Sequence, residues 1–102
     1  MSTLHIVNKS PFERNALASC IGHLGNDDAV LLIEDAVVAA RDGSTVAPLI
    51  REALTNGPVY VLAADLAARA IKREGVIAGM KLIDYRGFVE LAAQHARTQS
   101  WL

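Results

Sequence analysis

Cys20 is the only cysteine in the chain, and a lone thiol offers two kinds of chemistry. As a thiolate it attacks sulfur electrophiles and can carry a persulfide; packed among apolar neighbours it is a small hydrophobe. Leu17, Ile21 and Leu24 share its side of a helical pattern, and no lysine or arginine lies one turn away to lower its pKa. His23, three residues on, could pair with a thiolate. His5 stands in an apolar strand pattern, where a histidine is either a proton shuttle or a hydrogen-bonded strand residue. His23 and His95 read as helix-surface or helix-end residues, where an imidazole complements the helix dipole. Three histidines and one cysteine show no metal-ligand spacing, so no zinc site is expected. Asn8, Lys9, Ser10, Glu34, Asp35 and Asp65 follow strand patterns and would gather at the edge where open α/β sheets bind ligands. Ser10, Asp35 and Asp65 are also helix-capping types, and capping is the simpler expectation. No glycine-rich phosphate loop follows a strand, so no nucleotide cofactor is expected, nor any other.

The elements that must position these residues alternate along the chain. Thr3–Val7 reads as a buried strand. Ser10, Pro11 and Glu13 make a capping box with proline at the first helical position, which predicts a helix over Pro11–Leu24. Its apolar stripe is Phe12, Ala16, Leu17, Cys20, Ile21 and Leu24. Ala29–Ile33 is a second strand, apolar throughout, as a strand covered on both faces would be. Ala36–Ala40 and Val46–Leu54 read as short helices, the second with Pro48 in its first turn. Val59–Ala63 is a third strand, Asp65–Lys72 a helix, and Met80–Ile83 a fourth strand. Asp84 can cap a last helix, Tyr85–Arg97, with Phe88, Leu91, Ala92 and His95 inward. Strands alternating with helices predict an α/β fold: a single domain over residues 1–102, an open parallel sheet of about four strands with helices on both faces.

The bulk properties exclude several classes. The net charge is −1, from 10 basic and 11 acidic residues, and there is no basic stripe, so direct contact with nucleic acid is not expected. A single cysteine forms no internal disulfide and suits a reducing compartment. No signal-peptide pattern and no apolar run of membrane-spanning length occur. The expected location is the cytoplasm, with no membrane partner. A hydrophobic content of 52% is high for so small a domain and favours a subunit over a monomer, although alanine-rich helices also raise that figure. Trp101, the only tryptophan, lies one residue from the end. It is either an anchor into a partner or a side chain folded back on its own core.

The chain also resembles a known family along its whole length. The residues that carry the likeness are His5 and Asn8-Lys9-Ser10-Pro11-Phe12; Leu31-Leu32-Ile33-Glu34-Asp35 with Ala39-Ala40; Tyr60-Val61-Leu62 with Asp65-Leu66 and Ala68-Arg69; Asp84-Tyr85 and Phe88-Val89; and Ser100-Trp101-Leu102. The pattern is similar to the DsrH/TusB-type subunits of three-protein sulfur-relay complexes, DsrEFH in sulfur oxidisers and TusBCD in tRNA thiolation. Cys20 resembles the DsrH branch more than the TusB branch. Ala36 and Ala70 depart from the family pattern, which often has glycine at those places.

The resemblance implies an accessory subunit of a cytoplasmic heterohexameric sulfurtransferase. Its partners would be two homologous small chains, one DsrE/TusD-like and one DsrF/TusC-like. Persulfide sulfur would pass through the complex to a DsrC/TusE-type carrier. The main persulfide carrier in this family is the DsrE/TusD-type partner, so Cys20 would be at most a secondary thiol, and this chain is not expected to be catalytic alone. Phe12 and Trp101 are the candidate interface residues. Sulfur oxidation is the leading expectation. The alternatives are a TusB-like role in 2-thiouridine synthesis on tRNA, and a stand-alone structural or regulatory domain with an inert core cysteine.

Overall fold

Apolar, β-branched segments separated by helical patterns assemble into one parallel sheet. The computed structural model describes residues 2–102. The strands are β1 (Thr3–Val7), β2 (Ala29–Leu32), β3 (Val59–Leu62), β4 (Lys81–Ile83) and β5 (Arg97–Trp101), in the order β4-β3-β2-β1-β5, every pair parallel. The helices are α1 (Ala16–Ile21), α2 (Ala47–Asn56), α3 (Ala63–Ala68) and α4 (Tyr85–Gln94), with 3-10 segments at Glu34–Ala40 and Arg73–Gly75. The α/β class, the parallel sheet and helices on both faces are as expected.

Strand alternation divides the core into two layers. Val7, Val30, Leu32, Val59 and Val61 point to the face covered by α1, the first 3-10 segment and the buried Ile50 of α2 and Leu66 of α3. Leu4, Leu31, Ile6 and Tyr60 point the other way, where Leu91 and Phe88 of α4 cover them. The connections run from β1 to β4 in one direction, and α4 on the opposite face then carries the chain back to β5 beside β1. A uniform crossover hand requires that change of face when the direction reverses.

Three expectations need correction. The sheet has five strands rather than four; β5 lies where the last helix was expected to end. The Ser10 capping box closes a turn, not a helix: Ser10 Oγ accepts from the Phe12 amide at 3.2 Å, and its carbonyl accepts from Glu13 and Arg14. Helix α1 starts only after Asn15, whose carbonyl accepts from the Ser19 amide. Phe12 therefore leaves the expected apolar stripe and is 63% exposed. Helix α3 stops at Ala68, because Ala70 turns left-handed at φ 56°.

Candidate functional site

The pairing of β1 with β5 sets Thr3 beside Arg97, His5 beside Gln99 and Val7 beside Trp101. His5 is buried in this layer. Its Nε2 lies 2.7 Å from Asp28 Oδ2, and Trp101 Nε1 donates to its Nδ1 at 3.0 Å. An indole N–H can only donate, so Nδ1 is the accepting nitrogen and the ring hydrogen sits on Nε2, aimed at Asp28. The Asp28 carboxylate also accepts from the Thr3 amide at 3.0 Å and the Gly25 amide at 2.9 Å. Burial pushes the Asp28 carboxyl up, but His5 and the Gly25 and Thr3 amides together outweigh it and hold it below its ordinary value of 3.8.

The same cluster opens on a surface cavity of about 290 Å³ whose walls include His5, His23, Asp28, Arg97 and Trp101. The His23 ring packs 5.4 Å from the Trp101 ring, and its Nδ1 donates to the Ser19 carbonyl at 2.7 Å. His23 is thus turned toward Trp101 and its own helix, not engaged as an ion-pair partner of Cys20. An aspartate–histidine pair is the base half of a nucleophilic triad. Here both imidazole nitrogens are occupied, so His5 presents no free base. The arrangement instead ties together three segments far apart in sequence.

Cys20 lies behind this cluster with no exposed surface. Burial, and secondarily the negative charge of Asp28, push its thiol up to about 12. A thiol so held stays protonated near neutral pH, and its burial favours the packing reading of this residue. Trp101 is partly buried, packs against the larger core layer and hydrogen-bonds to His5. Phe12 stands on a separate cleft of about 370 Å³ with Val38, Arg41 and Thr45. His95 ends α4, its Nδ1 donating to the Leu91 carbonyl at 2.7 Å.

The polar set at the carboxyl edge of the sheet is only partly brought together. Asp65 Oδ2 accepts from the Glu34 amide at 2.6 Å, and Asp35 pairs with Arg69 at 2.8 Å. Neither carboxylate caps its own helix, contrary to expectation: Asp65 pins the start of the neighbouring 3-10 segment, where Glu34 has φ 50°. Asn8 Oδ1 is the buried side-chain acceptor left without a partner among the described residues. Among the described residues, no group of histidine, cysteine and carboxylate side chains is placed to hold a metal ion, and no helix is long and apolar enough to cross a membrane.

Sequence reasoning missed Asp28 as a member of the cluster and placed it only in a turn. The local signal was present: an aspartate three residues after glycine can bond back to that glycine's amide. Nothing local marks His5, 23 residues away, as its second partner.

A family model described as DsrH like protein matches residues 9–98. The chain belongs to the DsrH-like family. Curated relatives of this DsrH-like chain carry the name Protein TusB. The one from Erwinia tasmaniensis is 38% identical over 100 residues, covering 96% of this chain and 99% of the relative. The one from Escherichia coli K12 is 35% identical over the same span and shares. Among solved structures, the crystal structure of the ychN protein from E. coli superposes with a TM-score of 0.79 at 21% identity, covering 99% of this chain and all of that one. That likeness supports the α/β fold of the DsrH-like chain.

Proposed function

We propose that this chain is a TusB-like subunit of a cytoplasmic sulfur relay that serves 2-thiouridine synthesis on tRNA. In this reading it assembles with two homologous small chains, TusC-like and TusD-like. Persulfide sulfur held by the TusD-like partner passes on to a TusE-like carrier, and this chain contributes structure and interface rather than the reacting thiol. The observation that carries the reading is the near-full-length likeness to proteins named TusB, at 35–38% identity. The buried thiol is in keeping with it: Cys20, whose presence tilts the sequence toward the DsrH branch, packs in the core here. Exposed apolar groups, Phe12 at 63%, Tyr85 at 61% and Val89 at 68%, support a subunit with surface left for partners.

The test is a deletion strain analysed for 2-thiouridine in its tRNA, together with native mass spectrometry of the tagged chain. Loss of the modification, its rescue by both wild type and Cys20→Ser, and a roughly 2:2:2 assembly are expected. Unchanged 2-thiouridine with co-purified sulfite reductase and its carrier would replace this reading with the DsrEFH-like one. A lone monomer would overturn both.

A further inference from the structure

The Trp101–His5 contact is a hydrogen bond that exists in only one protonation state. Nδ1 of His5 accepts from the indole N–H at 3.0 Å, and Nε2 faces Asp28 at 2.7 Å. An imidazolium carries hydrogen on both nitrogens and accepts nothing. A proton arriving at Nδ1 would set N–H against N–H.

Beyond its backbone ladder with β1, which runs from Arg97 to Trp101, the strand that depends on this bond has few side-chain ties. β5 is an edge strand whose residues Arg97, Thr98, Gln99 and Ser100 are all exposed. Trp101 is its one apolar anchor in the core. Its other side-chain ties cluster at the opposite end: the Ala96 amide to Ser2 Oγ at 3.0 Å, and Arg97 Nε to Thr3 Oγ1 at 3.1 Å.

We propose that protonation of His5 releases Trp101 and frays the carboxyl end of β5, making the edge of the sheet a proton-sensitive latch that bares the backbone of β1. The proton can enter because His5 borders a surface cavity rather than a sealed core. The titratable and charged side chains lining that cavity, besides His5, are Asp28, Arg97 and His23, with the Cys20 thiol close enough to feel the charge of Asp28. Asp28, in the turn just before β2, stays ionised through the histidine range, because its carboxyl is held below 3.8. Arg97 of β5 is tied to Thr3 Oγ1 at 3.1 Å. Cys20 of α1, pushed up to about 12, stays a neutral thiol. His23, after α1, packs on the other side of Trp101 and is the group whose titration must be separated from that of His5.

A single tryptophan gives a single indole N–H signal. In the full ¹⁵N-labelled chain taken from pH about 8 to about 5, that signal is expected to start protected from exchange. It should move toward its free position with the same midpoint as the His5 ring nitrogens. Exchange protection should fall at Ser100 and Trp101 while Arg97 stays protected. His23→Gln and His95→Gln should keep the transition. His5→Gln should abolish the transition; if that variant does not fold, the shared midpoint in the wild-type chain decides. The latch is overturned if the indole signal stays put while His5 titrates, if it tracks His23, or if His5 gains no proton before the whole chain unfolds.

Discussion

Replacing Asp28 with alanine removes the acceptor that joins β1, the turn before β2 and, through His5, the end of β5. The carboxylate accepts three hydrogen bonds. Gly25 is exposed, and its amide finds water. The buried Thr3 amide and His5 Nε2–H do not. A bond to a charged acceptor contributes about 1.5–3 kcal/mol, and a buried donor left unpaired costs about 1–3 kcal/mol. Taking about 2 kcal/mol at His5 and about 1 kcal/mol at Thr3, Asp28→Ala should lose about 3 kcal/mol. That is a large share of the roughly 5–15 kcal/mol typical of a whole domain, and corresponds to a fall in Tm of about 12–24 °C. The pH dependence follows from the lowered carboxyl. Its contribution is complete above the ordinary value of 3.8 and is lost as pH falls through the lower folded-state value. Urea denaturation of both proteins near neutral pH should therefore show the full gap, and the gap should close below 3.8. Asp28→Asn keeps an acceptor for Thr3 but not the charge, so it should lose about half as much. A loss under about 1 kcal/mol for Asp28→Ala, or a gap that persists unchanged into acid, would refute the reasoning.

Other consequences can be checked directly. Native Cys20 should resist a thiol-reactive disulfide reagent near neutral pH and react at the rate of unfolding, with mild urea accelerating labelling steeply; fast labelling of the folded chain would show the thiol to be accessible. Ala70, exposed and left-handed at φ 56°, should become more stable as glycine. Relief of about 1–2 kcal/mol of backbone strain outweighs the about 0.4–1 kcal/mol of extra chain entropy lost on folding, and the midpoint of denaturation reads the difference. At Gly57 an added Cβ would sit 2.8 Å from the Asp28 carbonyl oxygen. Gly57→Ala should therefore cost about 1–3 kcal/mol in the same assay, because a backbone atom has no rotamer by which to move aside.

Sequence alone carried the strands β1 to β3 within a residue or so, since each is a short run rich in β-branched and apolar residues bounded by turn residues, and β2 and β3, buried on both faces, need such a pattern. It also carried Asp84 as a cap, which accepts from the Gly87 amide at 2.8 Å, and Cys20 as a member of an inward stripe. These are local facts, set by hydrophobic periodicity and by side chains that reach their own backbone. β5 was illegible for the opposite reason. Arg97-Thr98-Gln99-Ser100 has no apolar alternation, and it is a strand only because β1, more than 90 residues earlier, offers it a free edge. The start of α1 was misread because the Ser10 capping signal is equally satisfied by a closed turn. Helices and turns share their first hydrogen bonds, and tertiary packing decides which continues. The Asp28–His5–Trp101 cluster belongs wholly to the tertiary structure. Each member reads by itself as a turn, strand or terminal residue, and their joint role exists only where parallel pairing of β1 with β2 and β5 brings residues 5, 28 and 101 within hydrogen-bond distance.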